Sequence, residues 1–304
     1  MNQFDVVGFG ALNIDKLFKV NKLASAEEES FIGSYVETCG GSAANTIVGL
    51  ARLGCKVGFV GKIGSDRESK VILQDFCIEG VDTKGIVQAV QGKTGSVFGF
   101  VDKKGQRALY VDPGVNDTIT YDEIDHDYAC KTKYLHLSSF VGEISFETQK
   151  KLLPIVSKST KITLDPGMLY ANKGYTALEP LLNKTNVLIP NAIELKLLTG
   201  KANYRRGAKF LIQKGIEIVA VKLGSAGSYV TNGAENYLVK SFDAEVVDTT
   251  GAGDAFCAGF ITGLLNEESL FDCARIGNFV ASRKITKFGA RAGLPYLKDL
   301  DFLD

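Results

Sequence analysis

The residues best suited to chemistry in this sequence lie in one run, Asp248-Thr249-Thr250-Gly251-Ala252-Gly253-Asp254. The run follows a strand-like Glu245–Val247 and leads into an apolar helical segment, Ala255–Leu265. Gly251, Ala252 and Gly253 have almost no side chain, so their N–H groups can face an anion at the helix start. The helix dipole adds about half a positive charge there. Asp254 stands beside that anion site. A carboxylate that only bound ligand would repel a phosphate held there. As a base it would take a proton from an attacking hydroxyl while the N–H groups hold the phosphoryl group in transfer. The alternative is an acidic residue that only stabilises the helix dipole.

A second run, Gly40-Gly41-Ser42-Ala43-Ala44-Asn45, opens the helical segment Ala43–Leu53. Two glycines let backbone approach a ligand closely. Asn45 is a polar amide on an otherwise apolar helix and needs a partner. That partner is either a local backbone group or a ligand hydroxyl. Two other glycine runs fail their tests. Gly8-Phe9-Gly10-Ala11-Leu12-Asn13 has Asn13 where a dinucleotide fingerprint needs its third glycine, and no helix pattern follows. Gly92-Lys93-Thr94 has Val87 where a P-loop needs its first glycine.

Something must hold these runs in place, and the rest of the chain supplies an alternation of strands and helices. The strand candidates are Phe4–Phe9, Val57–Gly61, Tyr134–Leu137, Lys161–Asp165, Asn186–Ile189 and Ile216–Leu223. They are rich in Val and Ile and poor in charge, as strands covered on both faces are. Helical spacing follows the capping pattern Ser65-Asp66-Arg67-Glu68 and recurs over Phe146–Val156 and Tyr204–Lys214. This alternation predicts an α/β fold, a doubly wound and mostly parallel sheet with helices on both faces. Two stretches break it, at about 15–38 and 94–112. The second has a hairpin signature around Asp102-Lys103-Lys104-Gly105. We expect them to form a small separate sheet, a lid, attached to a single domain spanning 1–304.

With 304 residues and 45% hydrophobic content the chain can bury a large core. Lys+Arg and Asp+Glu are both 35, so the formal net charge is zero and no basic footprint suggests nucleic acid or an anionic membrane. No apolar stretch reaches the ~18 residues of a membrane span. The N-terminal residues run directly into a strand, unlike a signal peptide. Six scattered cysteines and two histidines show no zinc spacing. These features predict a cytoplasmic protein.

The run Asp248–Phe256, DTTGAGDAF, resembles the C-terminal signature of the ribokinase-like, or pfkB, carbohydrate kinase family. The segment Gly40–Gly54, GGSAANTIVGLARLG, resembles its N-terminal signature. The resemblance spans essentially the whole chain. It implies an ATP-dependent kinase acting on a hydroxyl, a primary one, of a sugar or nucleoside, with Mg2+ and with K+ as an activating cation. It implies Asp254 as the base and Gly251, Ala252 and Gly253 as the anion hole. Asp15 matches the aspartate that grips substrate hydroxyls, and Asn13, Gly41 and Asn45 match further substrate positions. Asn191 and Glu194 match the NxxE element that orders magnesium and phosphate. Lys222, Gly224, Gly227 and Asn278 match the nucleotide side. Asp248, the Thr250 carbonyl and the loop Ile285–Gly293 match a monovalent-cation site.

The chain departs from ribokinases proper at two places. Ser42 stands where they have lysine, and Ser138 stands near where they place a sugar-binding carboxylate. Both weaken the case for plain ribose. A hexose or a sugar phosphate, with Arg107 as its cationic contact, ADP as donor, and a non-catalytic sugar-binding regulator are the alternatives. The lid strands are apolar on both sides, which predicts a homodimer formed through the lid.

Overall fold

The apolar runs assemble into one large sheet, built from the middle outwards. The computed structural model describes residues 3–104 and 106–303, without the side chains of Arg107 and of 301–303. Strand β1 (Phe4–Phe9) is followed by β2 (Asn13–Val20) and β3 (Ile32–Gly40). Helix α1 (Ser42–Arg52) then leads to β4 (Val57–Ile63), α2 (Arg67–Ile78) and β5 (Ile86–Gln88). Next come β6 (Gly95–Val101), β7 (Arg107–Asp112), a short α3 (His126–Cys130), β8 (Thr132–Ser138), α4 (Glu143–Leu152) and β9 (Lys161–Asp165). The remainder is α5 (Gly167–Leu182), β10 (Val187–Leu188), α6 (Ala192–Thr199), α7 (Tyr204–Gln213), β11 (Ile218–Lys222), β12 (Ser228–Thr231), β13 (Asn236–Val239), α8 (Ala252–Leu265) and α9 (Leu270–Lys284).

The order in the nine-stranded sheet is β13-β12-β11-β10-β9-β8-β1-β4-β5. Pairing is parallel from β5 to β11 and antiparallel for β12 and β13. The chain therefore starts at β1, runs out through β4 and β5, and returns to grow from β8 in the other direction. The strand order reverses between β1 and β8, the kind of position beside which open α/β sheets bind ligands at the carboxyl ends of their strands. Alternation along β11 shows why both faces are covered. Ala220 packs with α1, α8 and α9 residues, while Val219 and Val221 pack in the opposite cluster with α4 to α7.

The two irregular stretches form a separate four-stranded sheet, ordered β3-β2-β6-β7. β2 pairs antiparallel with β3 and parallel with β6, and β6 pairs antiparallel with β7. The expected turn of this last hairpin includes Gly105, which lies outside the described residues. Side chains alternate across a strand, so Asp15, Val97 and Val111 share one face by register. Phe18, Tyr35 and Phe100 share the other and stack at 5.5 and 5.2 Å.

Local boundaries differ from the sequence pattern where hydrogen bonding decides them. The N-cap of α2 is Asp66, which accepts from Ser69 N–H, while the hydroxyl of Ser65 donates to the Ala89 carbonyl. The helix expected over Phe146–Val156 starts earlier, at Glu143, and tightens into a single 3₁₀ turn at Leu153–Ile155, where Pro154 removes a backbone donor. Among the described residues, no helix is long and apolar enough to cross a membrane.

Candidate active site

The carboxyl ends of the central strands deliver most of the polar groups. Asp165 ends β9, Lys222 ends β11, and Asn191 follows β10 and bridges to Lys222 in parallel register. From the other side come the starts of α1 and α8. Gly41 caps α1 with φ of 104°, and a Cβ there would lie 2.2 Å from the Ala11 carbonyl oxygen, so only glycine fits. Gly251 caps α8 with φ of 75°.

Asp254 is in the first turn of α8, and its carboxylate faces α1. Ser42 donates its hydroxyl to Oδ1 at 2.7 Å, and the Asn45 amide donates to Oδ2 at 2.8 Å. Asn45 in turn accepts from Nε of Arg291 at 2.8 Å. A guanidinium can only donate, so it fixes the Asn45 amide with its NH2 towards Asp254. Asn45 is buried, with both ends of its amide engaged by protein. Burial pushes the Asp254 carboxyl up to about 6, with the Asn45 bond opposing, Asp165 adding, and Ser42 and Lys222 opposing. Such a group is largely ionised at neutral pH yet more basic than an ordinary aspartate.

A cavity of about 660 Å³ opens on Asp254. Ala252 and Gly253 line it, as do Asn191, Glu194, Lys222, Gly224, Gly227 and Asn278, the whole nucleotide-side set expected from the sequence. The N–H of Ala252 donates to the Thr249 carbonyl at 3.1 Å and closes the turn. Of the three small residues expected to hold an anion, Ala252 is thus already bonded. Lys222 reaches the same turn, with Nζ 3.3 Å from where a Cβ on Gly253 would stand. Its ammonium is bonded to Asp165 at 2.5 Å. Burial raises the Asp165 carboxyl, but the Lys222 charge and hydrogen bond outweigh it and hold the group below the ordinary range. Asn191 and Glu194 form a capping box at the start of α6. Glu194 accepts from Asn191 N–H and from its amide, both at 2.7 Å. Burial, then Asp165, pushes the Glu194 carboxyl up, with Lys222 opposing. Asn278 donates to the carbonyls of Val239 and Lys240, so its NH2 anchors the end of β13 at the cavity wall.

The lid side is less complete. Asp15 lies on β2, and its Oδ1 is buried with no protein partner. Burial lifts its carboxyl to about 6, Arg291 opposes and Asp254 adds. Asn13 accepts from Asn116 at 2.8 Å, and Asn116 also brackets the backbone of Leu12 on both its N–H and its carbonyl. Ser138 is buried at the end of β8, where its hydroxyl accepts from Ala43 N–H at 3.2 Å. That bond ties β8 to the start of α1. The Arg107 side chain lies outside the described residues.

The region expected to hold a monovalent cation is occupied by hydrogen-bond donors. Oδ1 of Asp248 accepts from the N–H and hydroxyl of Thr250, and Oδ2 accepts from Gly289 N–H. The Asp248 carbonyl accepts from the buried Nζ of Lys284 at 2.7 Å.

The pattern of pfkB family carbohydrate kinases matches residues 3–297. The chain belongs to the pfkB family of carbohydrate kinases. A sugar kinase of Archaeoglobus fulgidus, itself uncharacterized, is 46% identical over 248 residues, 82% of this chain and 98% of that protein. The ribokinase of Haemophilus influenzae is 30% identical over 307 residues, 97% of each chain. The structure of Arabidopsis thaliana ribokinase complexed with ribose and ATP superposes with a TM-score of 0.87 at 25% identity, covering 99% of this chain and 98% of that one. This pfkB kinase therefore shares its family with ribokinases.

Several site residues of this pfkB kinase escaped the sequence reading. Asp165 carried one available signal, a lone acid at the end of a buried strand before Pro166-Gly167. Arg291 and Lys284 carried none, because nothing in their neighbourhood separates a buried cation from a surface one. Ser42 was read as a missing lysine, and the structure shows it bonded to the carboxylate of Asp254.

Proposed function

We propose that this kinase transfers the γ-phosphoryl group of ATP to a primary hydroxyl of a ribose-like ring, in a sugar or nucleoside, with Asp254 as the base. The observation that carries this reading is the placement of Asp254. Its carboxylate is oriented by Ser42 and Asn45, and it opens on the same cavity as Lys222, Asn191 and Glu194. A hydroxyl entering between Asp15 and Asp254 would meet an unpartnered acceptor on one side and the base on the other. Asp254 takes the proton as the oxygen attacks. Lys222 and the start of α8 stabilise the charge on the group in transfer.

The cavity has the size of a nucleotide site, and the Arabidopsis ribokinase was captured with ribose and ATP. Both support ATP as donor. Among the described residues, no cluster of three or more His, Cys, Asp or Glu side chains could grip a metal alone. Asp165 and Glu194 are hard oxygen donors on the cavity wall. They suit Mg2+ that arrives with the nucleotide phosphates and keeps its waters. When bound, Mg2+ would neutralise phosphate charge. Closure of the small sheet over the acceptor would exclude water, which competes as a nucleophile.

The test is ADP release with a panel of ribose, nucleosides, fructose and sugar phosphates. ATP-dependent turnover on one ring class, with phosphate found on its primary hydroxyl, is the expected result. Turnover only with ADP as donor, or with no acceptor in the panel, would overturn it.

A further inference from the structure

We infer that the ammonium of Lys284 permanently does the work of a monovalent cation beside the anion-binding turn, so this kinase neither binds nor needs potassium. The family resemblance points to a cation held by Asp248, the Thr250 carbonyl and the loop 285–293. The residues present do not fit one. A potassium ion needs a shell of oxygens to replace its hydration. Here three of the roughly four lone-pair sites of the Asp248 carboxylate already accept, from the N–H and hydroxyl of Thr250 and from Gly289 N–H, and its carbonyl accepts from Lys284. A second unit charge sharing that carbonyl oxygen would repel the ammonium.

The burial of Lys284 is otherwise hard to explain. It ends α9, where a lysine normally reaches water, yet it is fully buried. A buried charge persists only where other charges compensate it. Burial pulls its ammonium down from the ordinary lysine value, and the carboxylates of Asp248 and Asp254 oppose that pull. Those two residues bracket the anion-binding turn. The neighbouring backbone is fastened to the same helix end. The N–H groups of Val247 and Asp248 both donate to the Ile285 carbonyl, at 2.8 and 3.1 Å. A Cβ on Gly251 would lie 2.9 Å from the Ala290 carbonyl oxygen, so the loop after Lys284 packs directly on the turn. The ammonium therefore supplies both a fixed positive charge near the start of α8 and a tether that holds the turn in shape.

The kinetic part of this inference rests on the proposed phosphotransfer at Asp254, and the ion-binding part does not. Turnover and thermal midpoint are measured in potassium, sodium and tetramethylammonium chloride at equal ionic strength. The wild-type protein is expected to give the same values in all three. Lys284→Ala opens a hole under the Asp248 carbonyl. Its turnover in tetramethylammonium should fall by about ten-fold, less than the ~10²–10³-fold that losing a direct transition-state donor costs. Potassium should restore part of that turnover and raise the midpoint. Lys284→Met fills the hole without charge, so its turnover should fall and potassium should not restore it. A rise in wild-type turnover or midpoint specific to potassium overturns the inference, as does a Lys284→Met variant with undiminished turnover. If Lys284→Ala fails to fold, the wild-type and methionine measurements decide. If no acceptor is turned over, the kinase reading fails, while the wild-type midpoint still tests ion binding.

Discussion

The two sides of the cleft are built differently. On the phosphoryl side, α8 is apolar all round, and every residue from Ala255 to Gly263 is buried. Gly259 on α8 and Gly277 on α9 let the two helices approach closely. Asp254, the proposed base at the head of α8, already has its hydrogen-bond partners, and Lys222 is paired with Asp165. On the lid side, a sheet one layer thick carries Tyr35 at 60% and Tyr110 at 63% exposure. Asp15 keeps a buried oxygen without a partner. The contrast has a physical reason. Groups that stabilise a transition state act best when they need no reorganisation, and a packed core fixes them. Groups that recognise a substrate must let it in first, so they sit on an element with few buried contacts.

The strongest way to break this comparison is to remove the base. Asp254→Asn keeps the size and loses the basic oxygen, and kcat is expected to fall by ~10²–10⁴-fold with the fold retained. A folded variant with more than about a tenth of wild-type kcat, well above the general-base expectation, would leave Asp254 as a helix-dipole residue only.

Next comes the preassembled ion pair. Lys222→Met leaves Asp165 buried and uncompensated, and should lower stability by ~3–5 kcal/mol. The double variant Lys222→Met, Asp165→Leu should recover much of that stability but not activity. Urea denaturation of the single and double variants separates the two effects. Equal stability of the wild type and Lys222→Met would mean that this side is not held by the pair.

The lid side should answer in KM. Asp15→Ala loses charged hydrogen bonds to the acceptor, at a cost of ~1.5–3 kcal/mol in binding. Asn45→Ala, whose amide is committed to Asp254 and Arg291, should lower kcat instead. The pH profile sharpens the same distinction. Asp15 and Asp254 are both raised to about 6. Activity needs the ionised base, so log kcat/KM should drop as pH falls through about 6, where an ordinary aspartate would hold it to about 4. The two carboxyls influence each other, so the apparent values belong to the pair. Asp15→Asn should make the acid limb shallower. A limb that breaks near pH 4 in the wild type would show that burial does not control the base.

The smallest effect is expected at the aromatic face of the lid. Tyr110→Ser should weaken a homodimer formed through the small sheets, seen as a lower sedimentation coefficient at micromolar concentration, with kcat little changed. A wild-type monomer in the presence of acceptor would remove the dimer.

Much of this was legible in the chain itself. Buried parallel strands need continuous apolar runs, so β1, β4, β8 and β9 stand out, and the glycines at the starts of α1 and α8 meet the need for a positive φ there. Other elements were hidden. Helix α5 contains Pro180 and the non-helical Gly174, which break the period that would reveal it. Strand β10, by contrast, was legible, since Val187–Leu188 lies inside the run Asn186–Ile189 expected to form a strand.

Local sequence alone determined that a small-residue turn precedes an aspartate at the head of an apolar helix, because that depends only on residues adjacent in the chain. Tertiary structure alone decided what surrounds that aspartate. Asn45 lies 209 residues from Asp254 in sequence, and Arg291 lies 246 from Asn45. The same cation types look alike in sequence whether they face water or a carbonyl. Only the folded packing of α9 under the 248–254 turn makes Lys284 a buried charge, and only burial against α1 makes Asp254 a raised carboxyl, since desolvation is a property of the surroundings and not of the residue.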